Sequence, residues 1–117
     1  MRSLVFDELR RDDLDRVRAH LQETLIQSNL PDVFWLELPA DLLSDLQREH
    51  SQKCGPHRLA VVLEEDKVRF EYSVRLELLV RARESMRCAC TDYPTKTQRD
   101  FCLNFMDKLL EETGIQT

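Results

Sequence analysis

Residues 68–82 read VRFEYSVRLELLVRA, and this stretch decides the fold because apolar and polar side chains alternate along almost all of it. An alternation with a period of two indicates a β-strand with one buried and one exposed face. At about 3.3 Å per residue, a flat strand of this length would measure about 50 Å, which is too long for a small domain. We therefore expect either one strand with a bend or bulge near residues 75–77 or two strands.

The segments around this stretch predict further strands. Short apolar runs at residues 33–38 and 59–63 have the length and composition of strands, and Met86, Cys88 and Cys90 alternate in an expected final strand. Residues 3–6 form either a further short strand or part of the first helix. The charged residues 64–67 are expected to form a turn.

Apolar residues that recur every three or four positions predict helices near residues 12–28, 40–53 and 95–113. Thr95 and Gln98 have the spacing of a helix capping box. The sequence therefore predicts an α+β fold, a two-layer sandwich. In it a mostly antiparallel sheet, with a meander over residues 58–92, is covered on one face by about three helices.

The bulk composition indicates a single domain over residues 1–117. Hydrophobic residues make up 42% of the chain and charged residues 33%, and no linker or low-complexity tract divides it. The longest apolar runs are far below the roughly 20 residues that a membrane-spanning helix needs. No secretory signal is visible, so we expect a cytoplasmic protein without a membrane partner.

The two glycines, Gly55 and Gly114, exclude several large classes of enzyme. Phosphate-binding loops, dinucleotide fingerprints and nucleophile elbows each need closely spaced glycines. Both glycines are instead placed where predicted helices end. His20 and His50 lie in polar stretches and are expected to be exposed, and no carboxylate pair can be assigned to a shared pocket. We therefore expect a protein that is not an enzyme and carries no cofactor.

A metal site is one alternative that the cysteines leave open. Cys54 and His57 flank a Gly-Pro turn, and Cys88 and Cys90 follow about thirty residues later, so together they offer the Cys3His set of a structural zinc site. On a regular strand the side chains of Cys88 and Cys90 would stand about 6–7 Å apart, which is awkward for a tetrahedral site. The competing interpretation is a set of reduced, partly buried thiols.

Basic residues on the polar side of the long stretch suggest a binding surface. These are Arg69, Arg75, Arg81 and Arg83, and guanidinium groups at this spacing could hold phosphates or an acidic partner. The alternative is a solvated face on which arginines pair with Glu71 and Glu77. The net charge of −5 and the pI near 5.2 argue against general nucleic-acid binding.

Trp35 is the remaining candidate, either as an exposed interface anchor or as a side chain buried between layers. Taken together, the residues favour a small non-catalytic interaction module, either an adapter or a chaperone-like protein, that binds a protein partner or a second copy of itself as a dimer. Small acidic secretion chaperones are similar in size, pI and mixed α/β composition. The alternatives are binding of a small anion, nucleotide or nucleic acid through the arginines, and a zinc-stabilised domain.

Overall fold

The computed structural model describes residues 1–117 and contains six strands and three α-helices. The strands are β1 (Ser3–Leu9), β2 (Ile26–Gln27), β3 (Val33–Glu37), β4 (His57–Asp66), β5 (Glu71–Glu77) and β6 (Arg81–Ala82). The helices are α1 (Arg11–Thr24), α2 (Asp45–Glu49) and α3 (Lys96–Thr113). All strand pairs are antiparallel, in the order β1-β5-β4-β3-β2, and β6 pairs with β4. The predicted α+β class is confirmed.

The stretch that decides the fold forms two strands rather than one bent strand. β5 and β6 pair with successive parts of β4: Leu76 lies opposite Val61, and Ala82 lies opposite His57. Leu76 and Ala82 are six residues apart, whereas their partners on β4 are only four residues apart. The two extra residues between β5 and β6 interrupt the ladder of hydrogen bonds. The predicted alternation persists through the interruption, because Leu76, Leu78, Val80 and Ala82 are all buried.

The beginning of the same stretch differs from the prediction. Val68 and Phe70 are 88% and 76% exposed, because residues 67–70 form the turn between β4 and β5. The carboxylate of Asp66 accepts hydrogen bonds from the backbone N–H groups of Val68 and Arg69, at 3.0 and 3.1 Å. Such an Asx turn reverses the chain at once, so the turn lies later than expected and strand pairing begins only at Glu71.

One face of the sheet packs against α1 and α3, and the core lies between these layers. Its largest fully buried side chains come from both helices and from the three central strands: Leu14, Val17 and Leu21 of α1, Met106 and Leu109 of α3, and Phe34, Leu59, Val61, Val74 and Leu76. No helix of the structure is both long enough and apolar enough to cross a bilayer.

The helix ends follow local chemistry. The hydroxyl of Thr95 accepts from the N–H of Gln98, whose side chain accepts from the N–H of Thr95, as the capping box predicted. α3 ends at Gly114, which has a φ of 69° in the left-handed region that favours glycine. The helix expected over residues 40–53 is broken: a 3-10 turn (Ala40–Leu42) is followed by α2, and turns continue to Cys54.

Two further expectations are settled by the backbone. Residues 3–6 lie within β1, which pairs with β5. The prediction of a final strand over residues 86–90 is wrong, because this segment is a series of turns. The N–H of Cys88 donates to the carbonyl of Ser85, and the N–H of Thr91 donates to that of Cys88. These local hydrogen bonds use groups that a strand would present to a neighbour.

Candidate functional site

The face of the sheet opposite α1 and α3 carries a groove with a volume of about 720 Å³. We call it the arginine groove. Ala60 and Val62 of β4 and Trp35 of β3 line it together with Ile26 of β2 and Leu30 of the loop between β2 and β3. Its charged side chains are four arginines and two glutamates: Arg58, Arg75, Arg81, Arg83, Glu37 and Glu77. The groove is therefore locally positive in a chain whose net charge is −5.

The structure brings most of the predicted binding residues into this groove. Arg75, Arg81, Arg83 and Trp35 all line it. Arg69 does not, because it belongs to the turn between β4 and β5, where its Nε lies 3.9 Å from Asp66. Arg58, on the neighbouring strand, also lines the groove: residues 58, 60 and 62 alternate along β4 with the buried residues 59, 61 and 63.

Three of the four arginines in the groove are paired with carboxylates. Arg75 lies 2.9 Å from Glu64 and 3.6 Å from Glu77, and Arg81 lies 3.2 Å from Glu77. Arg83 lies 3.2 Å from its neighbour Glu84. The expected alternative of arginine–glutamate pairing therefore describes part of this face.

Arg58 differs from the other three. Its guanidinium stacks on the ring of Trp35, 3.9 Å from the ring centroid, and forms no ion pair. Its Nε is buried without a hydrogen-bond partner; the same holds for the Nε of Arg75, but the guanidinium of Arg75 has ion-pair partners. Burial, and then the nearby charge of Arg83, lower the pKa of Arg58, and Glu37 opposes this effect. Trp35 is half-buried beneath it, so an anion that reached this guanidinium would lie over the stacked pair.

A second arrangement lies at the end of the sheet where β6 pairs with β4. The donor atoms of His50, Cys54, Cys88 and Cys90 all lie within 4.8 Å of one another. We call this group the Cys–His cluster. Nδ1 of His50 is 3.1 Å from Sγ of Cys88 and 3.7 Å from Sγ of Cys54.

Local structure explains how each half of the cluster forms. His50 caps the C-terminal end of α2, and the N–H of Cys54 donates to the carbonyl of His50 at 2.7 Å. This helical turn sets the two side chains four residues apart on the same side. Cys88 and Cys90 lie in the turns that replace the expected strand, so their sulfur atoms converge and the objection based on strand spacing does not apply.

The metal set expected from the sequence is changed at one position. Cys54, Cys88 and Cys90 come together, but His57 is outside the cluster and His50 takes its place. His57 begins β4, opposite Ala82, and its ring is buried, but its nitrogen atoms are not among the donor atoms that converge. Neither ring nitrogen of His57 has a partner, and burial lowers its pKa. His50, expected to be exposed, is half-buried.

The thiols of the cluster lie in contrasting surroundings. A hydrogen bond from the backbone of Cys90 is the main cause that lowers the pKa of Cys88 to about 7. Burial is the main cause that raises the pKa of Cys90 to about 12. Cys102 lies apart, in the main core, where burial raises its pKa to about 11. All four cysteines are free thiols in the structure.

A buried pair of glutamines links the cluster to the rest of the fold. Nε2 of Gln47, in α2, donates to the carbonyl oxygen of Cys90 at 3.2 Å. Nε2 of Gln98, in α3, donates to Oε1 of Gln47 at 2.9 Å and to the carbonyl of Leu42 at 2.8 Å. These bonds tie the turn that carries Cys90 to the helix that carries His50.

Comparison of the chain with protein-family models, with curated proteins and with solved structures gives no match. The function must therefore be inferred from the arginine groove and the Cys–His cluster themselves.

Proposed function

We propose that the protein is a non-catalytic interaction module whose arginine groove binds an acidic segment of a partner protein. The observation that carries this proposal is the state of Arg58, which stacks on Trp35, forms no ion pair and has a buried Nε without an acceptor. A buried donor without a partner costs free energy that a ligand can recover. A carboxylate is the natural partner, because its two oxygens match the guanidinium geometry.

The charge of the groove supports an anionic ligand. Its four arginines outnumber its two glutamates, whereas the chain as a whole is acidic. Glu77 already neutralises part of the positive charge of Arg75 and Arg81. Arg83 is paired with Glu84, so the attraction for an added anion is concentrated at Arg58. Arg83 lies close enough to lower the pKa of Arg58. Complementary charge of this kind favours encounter with acidic surfaces and selects against basic ones.

The apolar part of the groove favours a peptide over a small free anion. Val33, Ala60 and Val62 lie beside the arginines, and Ile26 and Leu30 remain 48% and 63% exposed at its border. A segment that carries both acidic and apolar side chains would cover these groups at once. Bases of a nucleic acid would need a free aromatic face, but the ring of Trp35 is covered by Arg58.

The single tryptophan makes the test direct, because Trp35 reports on the groove without a label. The probe is a six-residue peptide of alternating glutamate and leucine, and the control replaces each glutamate with glutamine. We expect saturable quenching or a spectral shift of Trp35 with the acidic peptide only. The substitution Arg58→Ala should weaken binding about 10- to 100-fold, and Glu77→Gln should strengthen it a few-fold by freeing Arg75 and Arg81.

Arg69→Ala is the matched control, because it removes an arginine of the same sequence stretch that lies outside the groove. It should leave peptide affinity unchanged. The proposal fails if millimolar acidic peptide leaves Trp35 unaffected or if Arg58→Ala and Arg69→Ala behave alike. Equal binding of citrate or ATP would instead indicate a small-anion site. A concentration-dependent dimer in light scattering that Arg58→Ala disrupts would identify a second copy of the chain as the occupant, against a separate partner.

A further inference from the structure

We propose that His50, Cys54, Cys88 and Cys90 bind one Zn²⁺ ion in a closed structural site. This inference is independent of the function proposed for the groove. Four side chains from two segments that are far apart in sequence converge on one point, with all donor atoms within 4.8 Å of one another. Three of them are thiols and the fourth is an imidazole, which is the Cys3His composition of structural zinc sites.

The distances suit a tetrahedral ion. Zinc bonds of about 2.3 Å to sulfur and about 2.0 Å to nitrogen place ligand atoms about 3.5–3.8 Å apart along the edges of the tetrahedron. Nδ1 of His50 is 3.1 Å from Sγ of Cys88 and 3.7 Å from Sγ of Cys54, so two edges are already close to these values. All other separations are at most 4.8 Å, so a movement of about 1 Å or less brings the four atoms to tetrahedral edges.

The ligand types favour zinc over harder cations, and they favour a structural zinc site over a catalytic one. Mg²⁺ and Ca²⁺ require oxygen ligands, and the cluster contains no carboxylate. Four protein ligands fill a tetrahedron, so no position remains for the water or substrate of a catalytic site. Cys54 and Cys90 are buried, at 4% and 1% exposure, which suits a closed site.

Proton and charge balance are consistent with this site. Binding converts the three thiols to thiolates, and three protons leave to solvent while Zn²⁺ takes their place. His50 binds as neutral imidazole through Nδ1, so the loaded site carries one net negative charge. Lys53, Arg87 and Glu84 line the cavity beside the cluster, and the net positive charge of these three side chains offsets it.

The local packing gives the metal a structural role. Around the cluster the buried apolar group consists of only Cys54, Ala82 and Cys90, apart from the main core of 19 residues. Met86, in the middle of the connecting turns, is 63% exposed. So little apolar burial cannot by itself order a turn of this length. Four metal bonds, together with the hydrogen bond from Gln47 to the carbonyl of Cys90, can do so.

The first experiment measures metal per chain. The full chain is purified without a polyhistidine tag or chelator and is analysed by inductively coupled plasma mass spectrometry. We expect one zinc per chain for the wild type, for His57→Ala and for Cys102→Ala, and less than a tenth of that for His50→Ala and Cys88→Ala. Replacement of zinc with Co²⁺ should give the intense visible bands of a tetrahedral thiolate site. A metal-free wild type that also fails to bind added Zn²⁺ overturns the proposal, as does retention of zinc by His50→Ala with loss by His57→Ala.

A second measurement uses only the wild type, in case the ligand variants fail to fold. The native protein is treated with iodoacetamide before and after incubation with a strong zinc chelator, and the alkylated cysteines are mapped by mass spectrometry. Cys54, Cys88 and Cys90 should be protected until the chelator is added. Free reaction of Cys88 without chelator contradicts the site. A disulfide within the cluster, detected as a loss of two hydrogens, also contradicts it.

Discussion

The arginine groove and the Cys–His cluster lie on either side of β6, and they differ in what their polar groups lack. In the cluster, the donor atoms of three thiols and an imidazole lie within 4.8 Å of one another. In the groove, a guanidinium sits on an aromatic ring without an acceptor. In our proposals the first arrangement binds a cation and the second binds an anion. The polar groups that lack a partner thus indicate the type of ligand in each region.

The two regions are also mechanically connected. Arg81 and Arg83 face the groove, while Ala82 between them packs with Cys54 and Cys90. The N–H of Arg83 donates to the carbonyl of Pro56, and the N–H of Glu84 donates to that of Cys54. A metal that fixes Cys54 and the turn after β6 therefore also fixes one wall of the groove.

The largest expected effect comes from removal of the metal. Incubation with a strong zinc chelator should lower the melting temperature by more than about 10 °C, because the turns after β6 lose their main constraint. Affinity for the acidic peptide should fall at the same time. Differential scanning fluorimetry and the Trp35 titration measure the two effects, and added Zn²⁺ should reverse both. An unchanged melting temperature would separate the regions and contradict the link between them.

A pair of glycine substitutions distinguishes the turn beside the Cys–His cluster from the C-terminal end of α3. A Cβ on Gly55 would lie 2.4 Å from the carbonyl oxygen of Ser51, so the turn that carries Cys54 must shift. We expect Gly55→Ala to cost about 2–3 kcal/mol in urea unfolding and to weaken zinc binding.

Gly114→Ala is the matched control for Gly55→Ala. Gly114 has a φ of 69°, and a Cβ there would meet only Nη1 of Arg16 at an ordinary contact distance of 3.9 Å, so the substitution should cost only about 1 kcal/mol. It should not affect zinc binding. Equal costs, or a loss of zinc in both variants, would show that the turn at Gly55 has no special role.

The smallest effect is expected at Asp13, which lies far from β6 in the first turn of α1. Hydrogen bonds from the backbone and side chain of Arg10 are the main causes that lower the pKa of Asp13 from 3.8 to about 2. A lowered pKa stabilises the fold above pH 4 and the contribution is lost as the pH falls through 2. Asp13→Asn should therefore cost about 1 kcal/mol at neutral pH and only a small part of that at pH 2.

Urea unfolding of the wild type and of Asp13→Asn across this pH range tests the prediction. Zinc content and peptide affinity at pH 7 should be the same in both proteins. A stability difference that persists to pH 2 would assign the effect of the substitution to packing rather than to charge.

The parts of the fold that were predictable from sequence depend on local patterns. α3 was predicted almost to the residue because Thr95, Gln98 and Gly114 define its ends through their own hydrogen bonds and backbone conformation. The alternation of residues 72–82 also gave the buried face of β5 and β6. The strand expected over residues 86–90 failed because three alternating side chains are too few to outweigh local turn hydrogen bonds.

The two sites depend on information that lies outside local sequence. His50 was overlooked because its stretch is polar, although its four-residue spacing from Cys54 at a helix end was a usable signal. His57, two residues after Gly55, was a plausible ligand from its spacing, but it begins β4 and its nitrogen atoms lie outside the convergent set. The role of Arg58 follows from its position over Trp35 and from the cross-strand pairing of its neighbours, which no spacing within a single segment encodes.

The most direct test of the central claim, that a metal holds the end of the sheet beside the groove, is the intact mass of the untagged protein under native conditions. The account predicts the mass of the chain plus one zinc ion minus the displaced protons, and a return to the mass of the chain alone in acid. The mass of the metal-free chain after incubation with Zn²⁺, or that mass reduced by two hydrogens, would contradict it.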